Sequence, residues 1–405
     1  MKMNKWTLGL AAVGLVSLAP AVLAQTATQQ GTPLLTSLSA TTISGYVDTS
    51  AVWAPGTGNA NTAPYAFNGQ TKQNGVNLDA VDIKLSKALE EGKWSAGYVA
   101  ELSYGPDAQA IDGSAYPIRQ AYVDLGIPIG NGLELKMGRF DNLLGYETSD
   151  AMNDPNWTRS YGYTMEPTEH TGLLASYKFA DWMGLQAGFV DDVSTIPYGV
   201  GTINTRSESR RGVIGLLTLT APDSWGFLKG SALYGGLDYG PGAYGNPVPS
   251  IGTEGGNMTE WYVGATINTP LKGLSLGGSY DGISDADVGG VDAGNFQAFA
   301  GYLSYKFNDK ASLNGRAEYA NGSALGFIEG VPPPFVGSQA KVLALTATFE
   351  YDLWANVMSR IEVRWDHNAG DVNPGNSGNV FGGETPGVPT KNNEVLVAAN
   401  VIYKF

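Results

Sequence analysis

The chain has no cysteine among its 405 residues. Disulfide staples and thiolate metal sites are excluded, so stability must come from packing and hydrogen bonding. Charge is sparse at 15%, and only two histidines are available for acid–base chemistry. The basic sign is the scarcer one, 24 residues against 38 acidic, for a net charge of −14. A nucleic-acid partner needs a basic surface and does not fit. The acidic balance suits a cation-tolerant pore, loops that meet divalent ions at a lipopolysaccharide surface, or simply soluble loops. No segment holds the roughly 18 uninterrupted apolar residues of a spanning helix. What the chain has in excess is glycine and tyrosine, 55 and 21 residues. That loading favours an all-β chain with many turns.

Both ends carry signals. Residues 1–24 begin with Lys2 and Lys5, continue through an apolar stretch from Leu8 to Val16, and end on Val22, Leu23 and Ala24. This is the pattern of a secretory signal peptide. Its removal takes away two lysines and no acid, moving the net charge from −14 to −16. Residues 25–41 form a polar lead-in expected in the periplasm. At the other end, Val395, Val397, Ala399, Val401, Tyr403 and Phe405 alternate to the last residue. A final strand with one apolar face suits a barrel that must close on its first strand, because an open sheet edge in lipid leaves backbone groups unpaired. A terminal aromatic strand also resembles the signal read by the barrel-assembly machinery of Gram-negative outer membranes.

Between these ends, residues 42–405 divide into about sixteen alternating segments, each near the length of a tilted spanning strand. In the first, Ile43, Gly45, Val47, Thr49, Ala51 and Trp53 oppose Ser44, Tyr46, Asp48 and Ser50. The connections alternate, seven short and eight long, from Glu90-Glu91-Gly92 at one extreme to residues 142–169 at the other. Trp94, Trp182, Trp225 and Trp354 lie beside short turns, and Trp53, Trp261 and Trp365 beside long loops. The expectation is a transmembrane antiparallel up-and-down β-barrel with short periplasmic turns, long extracellular loops and two aromatic girdles.

A barrel of this size keeps an aqueous channel. Alternation turns Asp48, Asp82, Lys84, Lys93, Glu101, Gln120, Tyr122, Asp124, Glu134, Lys136, Glu260, Arg316, Glu318, Arg360, Glu362 and Arg364 inward. Near midplane on a lipid face such charges would cost several kcal/mol each, so water must receive them. A basic wall at Arg360 and Arg364 could set a transverse field against acids of early strands, or the charges could pair and stiffen the wall. Residues 142–169 are the candidate constriction loop, with Asp141, Glu147, Asp150 and Asp154 opposing wall arginines if it folds inward; an extracellular cap is the alternative. Strict alternation places Arg139 outward at the rim, unless a bulge near Gly138 turns it in.

The segments TTISGYVDTS, DAVDIKLSKAL, IRQAYVDLGIPIGNGLELKMGRF, GYE and NWTRSYGYTMEPTEHTGLLASYKF resemble the OmpL-like β-barrel porin family over Thr41 to Asp191. By that resemblance Gly138, Arg139, Phe140, Gly145, Tyr146, Glu147, Arg159, Ser160, Tyr161, Glu166, Pro167, His170, Thr171 and Gly172 bracket the loop after the fifth strand. Thr158 departs from the serine typical there. The resemblance implies a passive outer-membrane channel for small hydrophilic solutes, without cofactor or catalysis, assembled as a homotrimer among lipid and lipopolysaccharide.

Three rivals remain. A barrel hydrolase would have to assemble His170 with Asp191 and a serine. A calcium loop would use Asp281, Asp285, Asp287 and Asp292, without the fixed EF-hand pattern. A sugar or peptide channel would stack its solute on Tyr46, Tyr122 and Tyr262.

Overall fold

Alternating segments that cannot bury a face alone pair with their sequence neighbours, and here that pairing runs unbroken around a ring. The computed structural model describes residues 40–56, 74–110, 117–191, 193, 211–241, 257–288, 291–322, 340–370, 381–383 and 390–405. The signal segment and residues 25–39 lie outside these. The first eight strands are β1 (Thr42–Trp53), β2 (Gly75–Lys87), β3 (Ser95–Tyr104), β4 (Ile118–Ile127), β5 (Leu133–Asp141), β6 (Glu169–Ala180), β7 (Met183–Val190) and β8 (Gly212–Thr220). The second eight are β9 (Ala232–Pro241), β10 (Asn257–Asn268), β11 (Leu274–Val288), β12 (Val291–Lys306), β13 (Ala311–Gly322), β14 (Ala340–Trp354), β15 (Val357–Asn368) and β16 (Asn393–Lys404). Every neighbour pair is antiparallel, and β1 closes on β16.

Closure is completed by the last residue. The Gly45 amide donates to the Phe405 carbonyl and the Phe405 amide to the Gly45 carbonyl, both at 3.0 Å. No sheet edge is left to meet lipid. Turn glycines serve the short connections; Gly130, at φ 57°, takes the left-handed conformation that a side chain disfavours.

Apolar burial is inverted relative to a soluble protein. Leu345, Ile361, Val363 and Leu125 are exposed on the outside. The packed core is inside the ring, where Phe140, Leu143, Leu144, Trp157, Tyr161 and Met165 meet Leu174, Leu216, Tyr262 and Phe296 from the wall. Lys93 is not on the lumen wall: it sits in the β2–β3 turn, paired with Glu90 at 3.2 Å.

Register shifts break the alternation at several points, two of them beside charged residues of the early strands. Between Asp48 and Thr49 the β1–β2 register skips Asp79, and between Glu101 and Leu102 the β3–β4 register skips Arg119. A bulge re-aims one side chain. Asp79 and Arg119 would otherwise share the outward face of Val81 and Ala121; both are buried instead. No such break flanks Gly138, whose neighbours pair in sequence with β4 and β6.

The alternation is directly testable. Ile361→Lys, on the outward face mid-strand, should cost about 2–4 kcal/mol of stability in lipid vesicles. Lysine at the inward-facing Ser304 should be tolerated. Equal penalties from equilibrium unfolding would refute the assignment of faces.

Candidate functional site: the channel interior

The connection between β5 and β6 does not cap the barrel; it lies inside it. Inward side chains of β13–β15 bind its backbone directly. Glu362 accepts from the Trp157 amide at 2.6 Å, the Thr158 amide at 3.0 Å and the Thr158 hydroxyl at 2.6 Å. Arg316 donates to Glu147 at 2.7 Å and to the carbonyls of Thr158 and Arg159. Arg360 holds the carbonyls of Asp154 and Asn156, and Arg364 that of Arg159. Glu318 accepts from the Tyr161 amide at 2.7 Å, and Asp366 from the Tyr161 hydroxyl at 3.0 Å. A loop inside a barrel has no sheet to pair with, so the wall must supply its partners. Charged groups make the stronger hydrogen bonds for this purpose.

The loop also braces itself. Arg159 pairs with Asp154 at 2.8 Å and donates to the carbonyls of Thr148, Trp157 and Ser149. Glu147 accepts from the Ser160 amide at 2.7 Å. Leu143 and Tyr146 pack toward Leu216, Tyr234 and Tyr262, leaving a small recess, with room for about one water, beside Gly145 and Thr266. On the return leg, Glu166 hydrogen-bonds Asp281 of β11. Burial, the Asp281 charge and this bond together raise the Glu166 carboxyl well above the usual carboxylate range, with Glu260 and Glu147 adding to the shift. Two carboxyls at hydrogen-bond distance require a proton between them.

Across the ring the wall keeps water. Lys84, 25% exposed, pairs with Glu101 at 3.0 Å. Tyr122 and Asp124 are half-buried, with the Lys136 ammonium 4.3 Å from the Tyr122 ring centre. Arg119 pairs with Glu101, and at 3.0 Å with Asp141. Asp82 is buried within the field of Glu101, Arg119 and Lys84. From the loop, Asp150 faces the same group; burial raises its carboxyl, and Arg119 opposes the shift.

Placement thus differs from expectation in several ways. Arg316, Glu318, Arg360, Glu362 and Arg364 face inward as alternation requires, but lie beneath the loop, with Arg360 and Arg364 each 1% exposed. Arg159 is an internal brace of the loop. Asp48 is buried and accepts from Asn400 across the closing seam. Arg139 stays at the strand end in unbroken register, bound to the Arg119 carbonyl at 3.0 Å and to Glu169 at 3.0 Å. Arg119 and Asp79 escaped the pattern because each occupies a bulge. His170 Nε2 lies 3.1 Å from Asn142 Oδ1 and 3.2 Å from Asp238, whereas Asp191 pairs with Arg211 at 3.9 Å.

For metals, Asp281 turns toward Glu166, and the side chains of Asp285, Asp287 and Asp292 lie outside the described residues. Among the described residues one group, Asp48, Asp79 and Asp107, brings carboxylate oxygens within 4.8 Å of one another. Ser50 and Trp157 already donate to Asp79.

Comparison with known proteins agrees with this architecture. A family model described as "Putative beta-barrel porin-2, OmpL-like" matches residues 40–405. No curated protein sequence matches the chain. Among solved structures, the outer membrane channel DcaP of Acinetobacter baumannii aligns with a TM-score of 0.58 at 10% identity, covering 90% of this chain and 97% of that one. Pseudomonas putida OprB aligns at 0.57 and 12% identity, covering 92% and 96%. The anion-selective porin from Comamonas acidovorans aligns at 0.56 and 12%, covering 90% and 99%. At these identities the likeness is one of fold.

Two outcomes follow from the loop's anchors. Glu362→Gln removes the charge from three loop hydrogen bonds, each worth about 1.5–3 kcal/mol when charged. Amide exchange at Trp157 and Thr158 should accelerate by at least about tenfold while barrel amides hold; unchanged exchange would refute the anchor. The second concerns pH. The folded loop holds a proton on Glu166 that an ordinary exposed carboxyl releases, so this contribution is full at acid pH. It is lost as pH rises through the raised Glu166 value. Loop exchange should therefore quicken with pH beyond its intrinsic dependence, and Glu166→Gln should flatten that excess.

Proposed function

The chain belongs to the OmpL-like β-barrel porin family, and from that premise we propose that solutes cross it through the gap between the inward loop and the β2–β6 wall. The protein is an outer-membrane porin, a sixteen-strand barrel for passive diffusion of small hydrophilic solutes and ions. One observation carries the proposed route. Arg316, Glu318, Arg360, Glu362 and Arg364 are sealed under the loop, whereas Lys84, Asp124 and Glu134 opposite remain accessible to water.

On this reading the loop around Glu147 and Asp150 sets the size limit. Charge preference is set by Asp150 facing Lys84 and Arg119, not by Arg360 and Arg364. The acidic chain supports a mild preference for cations. Assembly as a homotrimer, export by residues 1–24 and the absence of turnover complete the proposal. His170 sits with Asn142 and Asp238 rather than with Asp191, which supports a structural role for it over a catalytic one.

A substrate-selective channel for a sugar or peptide has one observation in its favour. Tyr146 of the loop stacks on Tyr302 of β12, with centroids 3.9 Å apart, beside the recess lined by Tyr234 and Tyr262. Saturable blockage of ion current by one solute class would favour it.

The test is single-channel conductance in a planar bilayer, with reversal potential under a KCl gradient. Wild-type protein should give stable steps displaced toward cations. Asp150→Asn should reduce that displacement and Lys84→Gln increase it. Arg360→Gln should alter current noise with little shift in reversal potential. A large reversal shift from Arg360→Gln, with none from Asp150→Asn, would place the conducting path under the loop and overturn the proposed route.

A further inference from the structure

On the lumen face of β9–β11, the wall the loop packs against, Gly236, Gly264 and Gly277 interrupt the larger side chains. Gly236 alternates inward with Tyr234 and Asp238, Gly264 with Glu260 and Tyr262, and Gly277 with Ser279 and Asp281. None of the three takes a left-handed φ, so the backbone at each would accept a side chain. Glycine inside a strand costs about 0.5–1 kcal/mol relative to alanine, and it often marks the close approach of another group. Space, not conformation, is what these positions supply.

Each space has an occupant. Tyr262 folds its own hydroxyl over Gly264, and the loop fills the other two, with Leu144 over Gly236 and the Tyr146 ring over Gly277. A Cβ at Gly236 would fall inside contact distance of one terminal methyl of Leu144. A Cβ at Gly277 would fall inside contact distance of the Tyr146 hydroxyl and two ring carbons. The inward Gly172, Gly188 and Gly240 differ, because a Cβ there would first meet the backbone of the neighbouring strand. Among the described residues, wall glycines that seat the loop are therefore confined to β9 and β11. Leu144 can turn one methyl aside, but Tyr146 has no such freedom. Its ring stacks on Tyr302, the cross-strand partner of Gly277, with centroids 3.9 Å apart and planes 14° from parallel. The loop is pinned on both sides of it: the Glu166 carboxyl closes over Gly145, and Arg316 holds Glu147 at 2.7 Å.

We propose that Gly277, assisted by Gly236, sets the size limit of the channel by letting the loop lie flat on β9–β11, back from the β2–β6 side. Non-bonded carbons settle about 3.5–4.0 Å apart, so a methyl at Gly277 displaces the Tyr146 ring by roughly 1–2 Å. The pinned loop moves with the ring, away from β11 and into the gap. The inference rests on the proposed route between the loop and the β2–β6 wall, because only there does this displacement narrow the path.

The test reads two quantities from the purified full barrel: single-channel conductance in a planar bilayer, and vesicle swelling in a neutral pentose, hexose or disaccharide. Pore diameter governs passage, so Gly277→Ala should lower conductance and cut the hexose-to-pentose rate ratio by about twofold or more. Gly236→Ala should act in the same direction and more weakly. Reversal potential should hold in both, since no charge changes. Adding Tyr146→Ala to Gly277→Ala should restore the ratio, a recovery that misfolding would not allow. Unchanged conductance and ratio in Gly277→Ala would overturn the inference and leave the route standing. So would a loss that Tyr146→Ala leaves in place. Higher conductance in Gly277→Ala would place the path between the loop and β9–β11, and would overturn the route together with the inference.

Discussion

A backbone that enters hydrocarbon must bring its own hydrogen-bond partners, and the rest of this molecule follows from that requirement. It forbids an edge, so the final strand must meet the first, and the chain spends its last residue on that seam by pairing Phe405 with Gly45. Once the ring is complete, every strand has a lipid face and a lumen face, and polarity can alternate residue by residue. Ile361 and Val363 can stand exposed because lipid is their solvent, while Arg360, Glu362 and Arg364 between them look inward. Neither set would be stable if the register slipped by one residue, since a slip exchanges the two faces.

The same requirement operates a second time inside the ring. The β5–β6 loop leaves the sheet and exposes amides and carbonyls that no strand covers. Here the wall satisfies them with charged side chains: Glu362 takes two amides, and Arg316, Arg360 and Arg364 take carbonyls. Buried ions are costly unless each is paired and fully hydrogen-bonded. The network offsets that cost by alternating sign, as Arg316 pairs with Glu147 and Glu318, and Arg364 with Asp366, while Arg360 Nη2 is left without a hydrogen bond. Removing one member therefore strands another, which ties the loop's position to every charge on that wall.

Much of the fold was legible because its rules are short-range. Period-two alternation gave the faces, and connection length gave the direction of each strand. The resemblance carried by segments such as KMGRF and EPTEHTG pointed to the loop that turned out to lie inward. What escaped was whatever depends on three-dimensional contact. A bulge adds one residue to one strand and leaves no mark in an alternating pattern, so Asp79 and Arg119 were assigned to no face. The face of Arg360, Glu362 and Arg364 could be read, but not what covers it. Alternation says that a charge avoids lipid, and a polar loop satisfies that condition as well as water does. Arg159 was indistinguishable from a pore charge because only the fold of residues 147–163 reveals the carbonyls it holds.

Ring geometry explains why the loop divides the lumen as it does. A loop that starts at β5 and returns at β6 must reach β13–β15 to find Arg316, Glu362 and Arg364, and in a ring of sixteen strands those lie on the far side. It gets there along β8–β11, where Leu143 and Tyr146 meet Leu216, Tyr234 and Tyr262, and Glu166 meets Asp281 on the way back. That half of the interior is filled by packing. The charges left for a solute are those the loop faces but does not cover, Lys84 and Asp124 with Asp150 opposite. Charge in this lumen therefore has two separate uses. On one wall it replaces a missing strand as the partner of a buried backbone, and on the other, by the proposed route, it meets the water through which solutes pass.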